Sequence, residues 1–272
     1  MASSSFPASL YGDLRGKTAL VTGASSGIGH HMARTLAACG CNVVAGARRA
    51  AKLEALVADI ARAGGVAAAV PLDVTDTASV RAFFERAHAR FGSVDILVNN
   101  AGVSVDDKPA LQHDDGDWDY VVDTDLKGPW LCCREAARYM GKQPGGGAIV
   151  NVASVLGLRV MKWIPEYCAA KAGLIHLTKQ LALEWARSKI RVNAIAPGFY
   201  LTDINRQLFE ADPKTGKKPK GGQNLIRRVP LKRLGNLEDL DGPLLLLCSA
   251  RAGAFMTGAC LAVDGGHLQS SL

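Results

Sequence analysis

A tyrosine and a lysine lie four residues apart in this sequence, at Tyr167 and Lys171, and Ser154 precedes the tyrosine by thirteen residues. The pair opens an apolar run that favours a helix, where positions i and i+4 share one face, so the phenol and the ammonium would lie side by side. A neighbouring positive charge lowers the pKa of a phenol. Such a tyrosine could exchange a proton with an alcohol or a carbonyl group near neutral pH. This spacing is common by chance, so the elements around it must decide whether it is functional.

A glycine-rich turn near the N-terminus provides the first such element. Residues 17–22 form a short apolar run that predicts a buried strand, and a helical pattern follows the turn. A strand, a glycine-rich turn and a helix N-terminus together can hold a pyrophosphate, because backbone N–H groups approach it without interference from side chains. The alternative is a tight turn without a ligand. The candidate phosphate-binding residues are Gly23, Ser25, Ser26, Gly27, Ile28 and Gly29.

The residues after the next predicted strand, Asn42–Ala47, indicate which dinucleotide would bind. A reader of the ribose 2′-hydroxyl would place Asp or Glu there, but Arg48 and Arg49 follow instead and the first acid is Glu54. Arginine can pair with a 2′-phosphate, whereas a carboxylate would repel it. The sequence therefore favours NADP(H), with NAD(H) possible as the alternative cofactor. Two solvated arginines that open a helix would give the same pattern.

Helical and strand patterns alternate along the chain with short links. This alternation predicts the α/β class, specifically a Rossmann-type doubly wound parallel sheet of about seven strands with helices on both faces. Because the crossovers are right-handed, the carboxyl ends of the strands meet at one edge, where Asp73, Asn99 and Ser154 would lie. A long helix is predicted over residues 117–139, with a kink at Gly128 and Pro129.

Composition and length bound the remaining possibilities. The chain has 272 residues, of which 48% are hydrophobic and 21% charged, enough for one sizeable core. We expect a flexible leader at 1–14, one dinucleotide-binding catalytic domain at 15–272, and a lid at about 202–228.

The seven cysteines lack metal-ligand spacing, so no metal site is expected. Reduced thiols, with no secretory signal or membrane span, indicate a cytoplasmic protein. The net charge of +7 is concentrated in residues 214–233, and few aromatic residues are interleaved, so no nucleic acid partner is expected.

With these features in order, the chain resembles the short-chain dehydrogenase/reductase family from about Leu14 to Gly266. It is most similar to members of the 3-oxoacyl-[acyl-carrier-protein] reductase type, particularly over residues 191–198 and 230–235. The resemblance rests on motifs that occur in the family's order. They are Thr22 to Gly29, Asp73-Val74, Asn99-Asn100-Ala101-Gly102, Ser154, Tyr167 with Lys171, and Pro197-Gly198.

The resemblance implies a role for each motif. Tyr167 would be the general acid in carbonyl reduction and the base in alcohol oxidation, Lys171 would lower its pKa and hold the nicotinamide ribose, and Ser154 would hydrogen-bond the substrate oxygen. Asp73 and Val74 would lie at the adenine. The remaining cofactor-lining residues would be Asn99, Ala101, Gly102, Pro197, Gly198 and Thr202. Asn99 could alternatively cap a turn, and Thr202 could be a helix N-cap.

One position departs from the family pattern, which carries asparagine in the segment N-L-x-G of the fourth helix. Here Asp125 begins that segment. In the family, the main-chain carbonyl of this residue holds a water in a proton relay to the lysine, and aspartate could supply the same carbonyl. Its carboxylate would add negative charge near Lys171, which could stabilise the ammonium or raise the pKa of the tyrosine. We therefore include Asp125 among the catalytic candidates and expect an active enzyme with a shifted pH optimum.

These observations predict an NADP(H)-dependent oxidoreductase that acts on a ketone or secondary alcohol, including 3-oxoacyl thioesters. The alternatives are an NAD-dependent sugar or polyol dehydrogenase and a cofactor-binding protein with little turnover. Met161, Trp163 and Tyr200, with Ser154 and Tyr167, are the candidate substrate-binding residues and suggest a substrate with an apolar portion. Trp163 could instead be an oligomer contact. The resemblance implies a homotetramer or homodimer built through the long helices.

Overall fold

A parallel sheet of seven strands forms the centre of the computed structural model, which describes residues 11–202, 209 and 219–270. Its strands lie in the order β3-β2-β1-β4-β5-β6-β7, and every neighbouring pair is parallel. The chain reverses its direction across the sheet between β1 and β4, which is where open α/β sheets bind ligands. The strands are β1 (Thr18–Thr22), β2 (Asn42–Ala47), β3 (Val66–Pro71), β4 (Ile96–Asn99), β5 (Gly147–Val152), β6 (Ile190–Pro197) and β7 (Cys260–Val263).

Helices cover both faces of this sheet, as predicted. The helices are α1 (Gly27–Ala38), α2 (Ala50–Arg62), α3 (Thr77–Phe91), α4 (Asp115–Val122), α5 (Gly128–Met140), α6 (Pro165–Trp185), α7 (Lys220–Arg228) and α8 (Asp241–Cys248). Successive residues of β1 point to opposite faces, so Val21 packs with α1, α2 and α8, whereas Leu20 packs with α3, α5 and α6. The sheet is therefore buried on both sides, and its carboxyl edge is left for a site.

The long helix predicted over residues 117–139 is interrupted near the predicted kink. A π-helical turn, Asp123–Lys127, separates α4 from α5. Pro129, in the first turn of α5, has no N–H to donate to the carbonyl of Asp125 four residues earlier. The ring of Pro129 and the absent donor explain why the wider turn lies just before Gly128.

The N-terminal boundary differs from the prediction. Residues 12–14, expected to end a flexible leader, form a 3-10 turn in which Leu14 is only 1% exposed. Asp13 accepts hydrogen bonds from the hydroxyl of Ser249 at 2.9 and 3.1 Å, so this turn is fixed to the end of α8. Burial of an apolar side chain and a paired carboxylate explain the order of these residues. Residues 1–10 lie outside the described part of the chain.

The predicted lid also lies mainly outside the described residues, which omit 203–208 and 210–218. Its last part is helix α7. Within the described ranges, we find no helix with the length and hydropathy needed to cross a membrane.

Candidate active site

A cavity of about 520 Å³ follows the carboxyl edge of the sheet. It is lined by the segments that leave strands β1 to β6, and it extends from the glycine-rich turn to the start of α6. Most of the residues predicted from the sequence line it together. They are Gly23, Ser25, Ser26, Gly27, Ile28, Arg48, Arg49, Asp73, Val74, Ala101, Gly102, Asp125, Ser154, Tyr167, Lys171, Pro197, Gly198, Tyr200 and Thr202.

Two of the predicted cofactor residues lie behind the cavity wall. The amide of Asn99 is 2% exposed and donates to Asn151 Oδ1 at 2.9 Å and to the Pro129 carbonyl at 3.3 Å. Asn99 therefore joins β4 to β5 and α5 and does not line this cavity, and its contribution to cofactor binding stays a prediction. A Cβ on Gly29 would collide with the amide of Asn100, so Gly29 serves the close packing of α1 against β4.

Two of the predicted substrate residues also lie outside this cavity. Met161 packs on the apolar cluster of Val155, Leu156, Ile164 and Cys168, beside Tyr167. Trp163 is 54% exposed, because the loop buries its neighbour Ile164 instead. Tyr200 does line the cavity, and its hydroxyl donates to the carbonyl of Val263 at 3.0 Å.

The proton-exchanging residues come together where β5 ends and α6 begins. Pro165, suited to a first helical position, starts α6 and places Tyr167 in its first turn. Ser154 follows β5 and caps a 3-10 turn, in which the Leu156 amide donates to Ser154 Oγ at 3.1 Å. Ser154 and Tyr167 both line the cavity. Lys171 Nζ lies 5.5 Å from the centre of the Tyr167 ring, one helical turn away as the spacing predicts.

A buried carboxylate pairs with Lys171. Asp125 is fully buried, and its Oδ2 lies 3.1 Å from Lys171 Nζ, while Oδ1 accepts a hydrogen bond from the Val103 amide at 2.8 Å. Lys171 Nζ also donates to the Val152 carbonyl at 3.2 Å. A Cβ on Gly102 would lie 2.9 Å from Asp125 Oδ2, so only glycine lets the chain pass this ion pair. The departure from the family's asparagine thus places a side chain in direct contact with the lysine.

Electrostatics of the enclosed site favour a neutral tyrosine. Burial raises the pKa of the Tyr167 phenol, Lys171 acts against that increase, and Asp125 adds to it. Burial acts to lower the pKa of Lys171, but Asp125 and Tyr167 outweigh it and raise that pKa. Burial also raises the pKa of Asp125, against the opposing effect of Lys171 and the Val103 amide. The lysine lowers the phenol pKa as expected, but burial and Asp125 leave that pKa above its ordinary value.

Two residues that the sequence did not single out as ligands shape the glycine-rich turn. Thr22 Oγ1 accepts hydrogen bonds from the amides of Asn100 and Ala101, both at 3.0 Å. The Asn100 side chain donates back to the carbonyls of Thr22 and Gly23 at 3.1 and 3.2 Å. This exchange ties the turn to β4. The Asn99-Asn100 pair could have indicated this contact. Adjacent strand residues face opposite sides of the sheet, so one of the two asparagines must face the glycine-rich turn.

Two arginines, Arg48 and Arg49, lie at the end of the cavity beside the glycine-rich turn. Arg49 donates to Ser25 Oγ at 2.8 Å and to Ser26 Oγ at 2.7 Å, and so holds its guanidinium over the turn. Arg48 is exposed and lines the cavity. Hydrogen bonds from Thr75 are the main cause of the lowered pKa of Asp73, and Arg48 contributes to it.

These groups fit a dinucleotide. Ser26, the N-cap of α1, makes no side-chain capping bond, so the amides of the first turn face the glycine-rich turn and suit a pyrophosphate. The two arginines suit an additional phosphate, and the same cavity extends along the sheet edge to Tyr167.

Comparisons with known proteins agree with this geometry. The family profile described as short chain dehydrogenase matches residues 17–213. The chain is 37% identical to 2-dehydro-3-deoxy-D-gluconate 5-dehydrogenase of Dickeya dadantii, over 94% of this chain and 97% of the relative. It is 41% identical to 3beta-hydroxysteroid dehydrogenase 1 of Eggerthella lenta, over 94% and 95% of the two chains. It is 38% identical to 3-oxoacyl-[acyl-carrier-protein] reductase of Synechocystis, over 93% and 97%.

A solved structure gives the same result for the fold. A protein of Agrobacterium tumefaciens, provisionally described as a 2-deoxy-D-gluconate 3-dehydrogenase and solved with NADP bound, superposes with a TM-score of 0.82 at 36% identity. The match covers 95% of this chain and 98% of the other. The sheet, the site and these similarities together show that the chain belongs to the short-chain dehydrogenase/reductase family, whose members are oxidoreductases that interconvert alcohols and carbonyl compounds.

Proposed function

We propose that this enzyme is an NADP(H)-dependent ketoreductase, which transfers hydride between nicotinamide and a ketone or secondary alcohol. The observation that carries the proposal is that one cavity has Arg48 and Arg49 beside the glycine-rich turn at one end and Ser154, Tyr167 and Lys171 at the other. Neither group alone would define the reaction. Together they provide a phosphate-binding end and a proton-exchanging end.

In the proposed mechanism, the Ser154 hydroxyl and the Tyr167 phenol both donate hydrogen bonds to the substrate carbonyl oxygen. The negative charge that develops on this oxygen is stabilised by these two donors, and Tyr167 then gives up its proton to form the alcohol. Lys171 stabilises the resulting phenolate, and Asp125 keeps the ammonium in place. A bound nicotinamide would supply the hydride to the carbonyl carbon.

The charge balance of the site supports reduction as the favoured direction near neutral pH. A tyrosine whose pKa is raised remains protonated, which is the form needed to protonate a carbonyl oxygen. Alcohol oxidation needs the phenolate. Its rate should therefore increase as the pH rises toward the raised pKa of Tyr167.

The preference for NADP(H) over NAD(H) is also a proposal. It is supported by the absence of an acid where β2 ends, by the exposed Arg48, and by the way Arg49 is fixed to Ser25 and Ser26. We assign the 2′-phosphate to Arg48 and the adjoining serine hydroxyls. Asp73 and Val74 would then lie at the adenine, and Thr202 near the carboxamide.

The substrate is proposed at the level of its class. We favour a ketone that includes the 3-oxoacyl thioesters, because of the match to the reductase from Synechocystis. A sugar-acid or polyol substrate is the second candidate, and it is favoured by the match to the gluconate dehydrogenase of Dickeya dadantii. A cofactor-binding protein with little turnover is disfavoured, because the hydroxyl, phenol and ammonium groups are all present in one cavity.

We also propose that the enzyme forms a homotetramer or homodimer and that it is cytoplasmic. Trp118 and Tyr120 on α4 and Trp130 on α5 are between 38% and 46% exposed, and such aromatic surfaces suit a homotetramer or homodimer. A cytoplasmic location is supported by the free thiols of all seven cysteines.

The experiment that tests the proposed function follows NADPH and NADH consumption by the purified enzyme against three substrate classes. These are a 3-oxoacyl thioester, a keto sugar acid and a cyclic ketone. We expect turnover with at least one class and a higher kcat/KM with NADPH. Turnover confined to NADH and the sugar acid would replace our proposal with the alternative, and no turnover with any class would contradict it.

A further inference from the structure

A histidine and a glutamate outside the catalytic group form a buried contact at the start of α6. The side chains of His113 and Glu166 are 7% and 1% exposed, and His113 Nδ1 lies 3.4 Å from Glu166 Oε2. Glu166 directly precedes Tyr167 in the first turn of α6. Among the described residues, neither the two carboxylate oxygens of Glu166 nor Nδ1 of His113 has a partner within normal hydrogen-bond geometry, and His113 is the basic group that lies within 4 Å of Glu166. A buried carboxylate in this position needs a proton or a positive charge beside it.

Hydrogen bonding on the other ring nitrogen fixes how His113 is protonated. His113 Nε2 lies 2.9 Å from the Lys108 carbonyl and 3.1 Å from the Trp163 carbonyl. Carbonyls only accept hydrogen bonds, so Nε2 must carry a proton. Nδ1 would then be a bare lone pair unless a second proton lies between it and Glu166. Since a lone pair facing a carboxylate is repulsive, the contact requires one shared proton at this place.

The remaining charges near His113 are already balanced. Asp117, on α4, lies 3.7 Å from His113 Nδ1, but its carboxylate is paired with Lys108 Nζ at 2.5 Å. Asp117 also accepts from the Asp114 amide, and the Asp114 side chain accepts from the Asp117 amide. These two carboxylates are therefore occupied. Glu166 is therefore the carboxylate left to pair with the proton on His113.

This contact holds two parts of the site together. The segment 103–113 begins at the Val103 amide, which Asp125 holds beside Lys171, and ends at His113. Near its far end, the Lys108 amide donates to the Trp163 carbonyl at 3.2 Å, the same oxygen that faces His113 Nε2. Trp163 has a left-handed backbone with φ of 76°, which a large side chain adopts only when its surroundings enforce it. His113 thus contacts Trp163 and Glu166, which lie on either side of the proline that starts α6.

We propose that His113 and Glu166 are positioning residues, which share one proton and thereby clasp segment 103–113 to the start of the helix that carries Tyr167. Val103, at the start of the segment, lines the cavity, so the clasp limits the movement of that part of the cavity wall. It rests on the proposed function only for its kinetic consequence, because the contact itself can be measured without turnover. Loss of the contact frees the segment, so the substrate KM rises.

The test compares three variants of the enzyme with the wild type at about pH 7. Hydrogen exchange of the Lys108 amide reports the clasp directly, and substrate KM and NADPH Kd report its effect. In the wild type we expect this amide to be protected, and a variant that lacks the clasp should lose the protection and show a KM raised severalfold. The NADPH Kd should not follow this change, because Arg48 and Arg49 lie at the other end of the cavity.

Glu166→Gln is the decisive variant. Its amide can donate to Nδ1 of His113, so the contact persists and both the protection and KM should stay close to those of the wild type. His113→Ala should lose the protection and show the raised KM. His31→Ala, which removes another histidine paired with a carboxylate at 2.9 Å, between α1 and α8, is the matched control and should behave as the wild type.

Two results would overturn the clasp. One is lost protection with a raised KM in Glu166→Gln, and the other is wild-type protection of the Lys108 amide in His113→Ala. A failure of the proposed reaction would look different. It would abolish turnover in every variant, the wild type included, and would leave the exchange measurements to decide the clasp.

Discussion

Lys171 is the residue on which the electrostatics of the site depend. Its ammonium is held by the Asp125 carboxylate at 3.1 Å and by the Val152 carbonyl at 3.2 Å, and it faces the Tyr167 ring from the third side. Removing one partner from a buried ion pair commonly costs about 3–5 kcal/mol, because the other charge is left without compensation. The carboxylate of Asp125 therefore acts on both the position of the lysine and the acidity of the tyrosine.

Replacing Asp125 with asparagine should move the pH profile toward lower pH. Asp125 raises the pKa of Tyr167, so its loss lowers that pKa. Reduction, which needs the protonated phenol, would then decline at a lower pH, and oxidation, which needs the phenolate, would begin at a lower pH. Profiles of kcat/KM in both directions measure the shift, which should be toward lower pH in each.

The matched control is Asp123→Asn, which disrupts a solvent-exposed pair with Lys127 at 3.1 Å in the same π-helical turn. It should leave both profiles in place, since exposed ion pairs contribute little. If Asp125→Asn and Asp123→Asn gave the same profiles as the wild type, Asp125 would have no influence on the tyrosine.

Replacing Arg48 with aspartate should reverse the cofactor preference. The substitution removes a cation from the cavity and places a carboxylate where it would repel a 2′-phosphate and accept bonds from ribose hydroxyls. We expect the ratio of kcat/KM for NADPH to that for NADH to fall about tenfold to a hundredfold, as for the loss of one charged hydrogen bond. Arg48→Ala should give an intermediate ratio. An unchanged ratio in both variants would refute the assignment of the 2′-phosphate to Arg48.

Spacing predicted which residue types would meet, but not which way each side chain points. The interval between Tyr167 and Lys171 fixes their common helix face, and the structure brings them together with Ser154. Asn99 and Asn100 are adjacent at the end of β4, so only one of them can face the turn, and the motif does not show which. Met161 and Trp163 lie in an irregular loop, where no periodicity relates sequence to direction.

At the scale of elements, the strands predicted over residues 17–22 and Asn42–Ala47 agree with β1 and β2 to within one residue. Strand positions can be read from local features of the sequence, namely alternating helix and strand patterns and the glycines that bound them. The π-helical turn at Asp123–Lys127 could not be read in the same way. Gly128 and Pro129 indicate that the helix is disturbed, but the wider turn depends on how α4 and α5 pack against α6 and the Asp125–Lys171 pair.

Hydrogen bonding between the ends of β1 and β4 should determine both stability and cofactor binding. The hydroxyl of Thr22, which is 1% exposed, is the acceptor for two backbone amides, and Thr22→Val keeps the shape of the side chain while it removes that acceptor. We expect the free energy of unfolding to fall by about 2 kcal/mol, because buried donors are left unpaired. Denaturant titration measures this change, and the NADPH Kd should rise in parallel.

Thr22→Ser keeps the hydroxyl and serves as the control for the lost methyl group. It should bind NADPH as the wild type does. Equal Kd values for the valine and serine variants would show that the hydroxyl does not shape the glycine-rich turn.

At the scale of the molecule, local sequence patterns predicted the layers of the fold correctly but did not predict the order of its N-terminal residues. The doubly wound sheet follows from the alternation of helices and strands, because right-handed crossovers leave few other arrangements. Residues 12–14 were expected to be flexible because their composition is polar, and only a contact with distant Ser249 reveals their order. Contacts between remote parts of a chain leave no periodic signal in the sequence.

The whole chain is therefore organised to bring one phenol, one hydroxyl and one ammonium to the end of a dinucleotide cavity. The direct measurement of this account compares NADPH-dependent reduction by the wild type and by Tyr167→Phe, with NADPH binding followed separately. The account predicts that kcat falls about a thousandfold, because general acid catalysis is lost, while the NADPH Kd stays close to that of the wild type. Equal rates of NADPH consumption by the two proteins would contradict it.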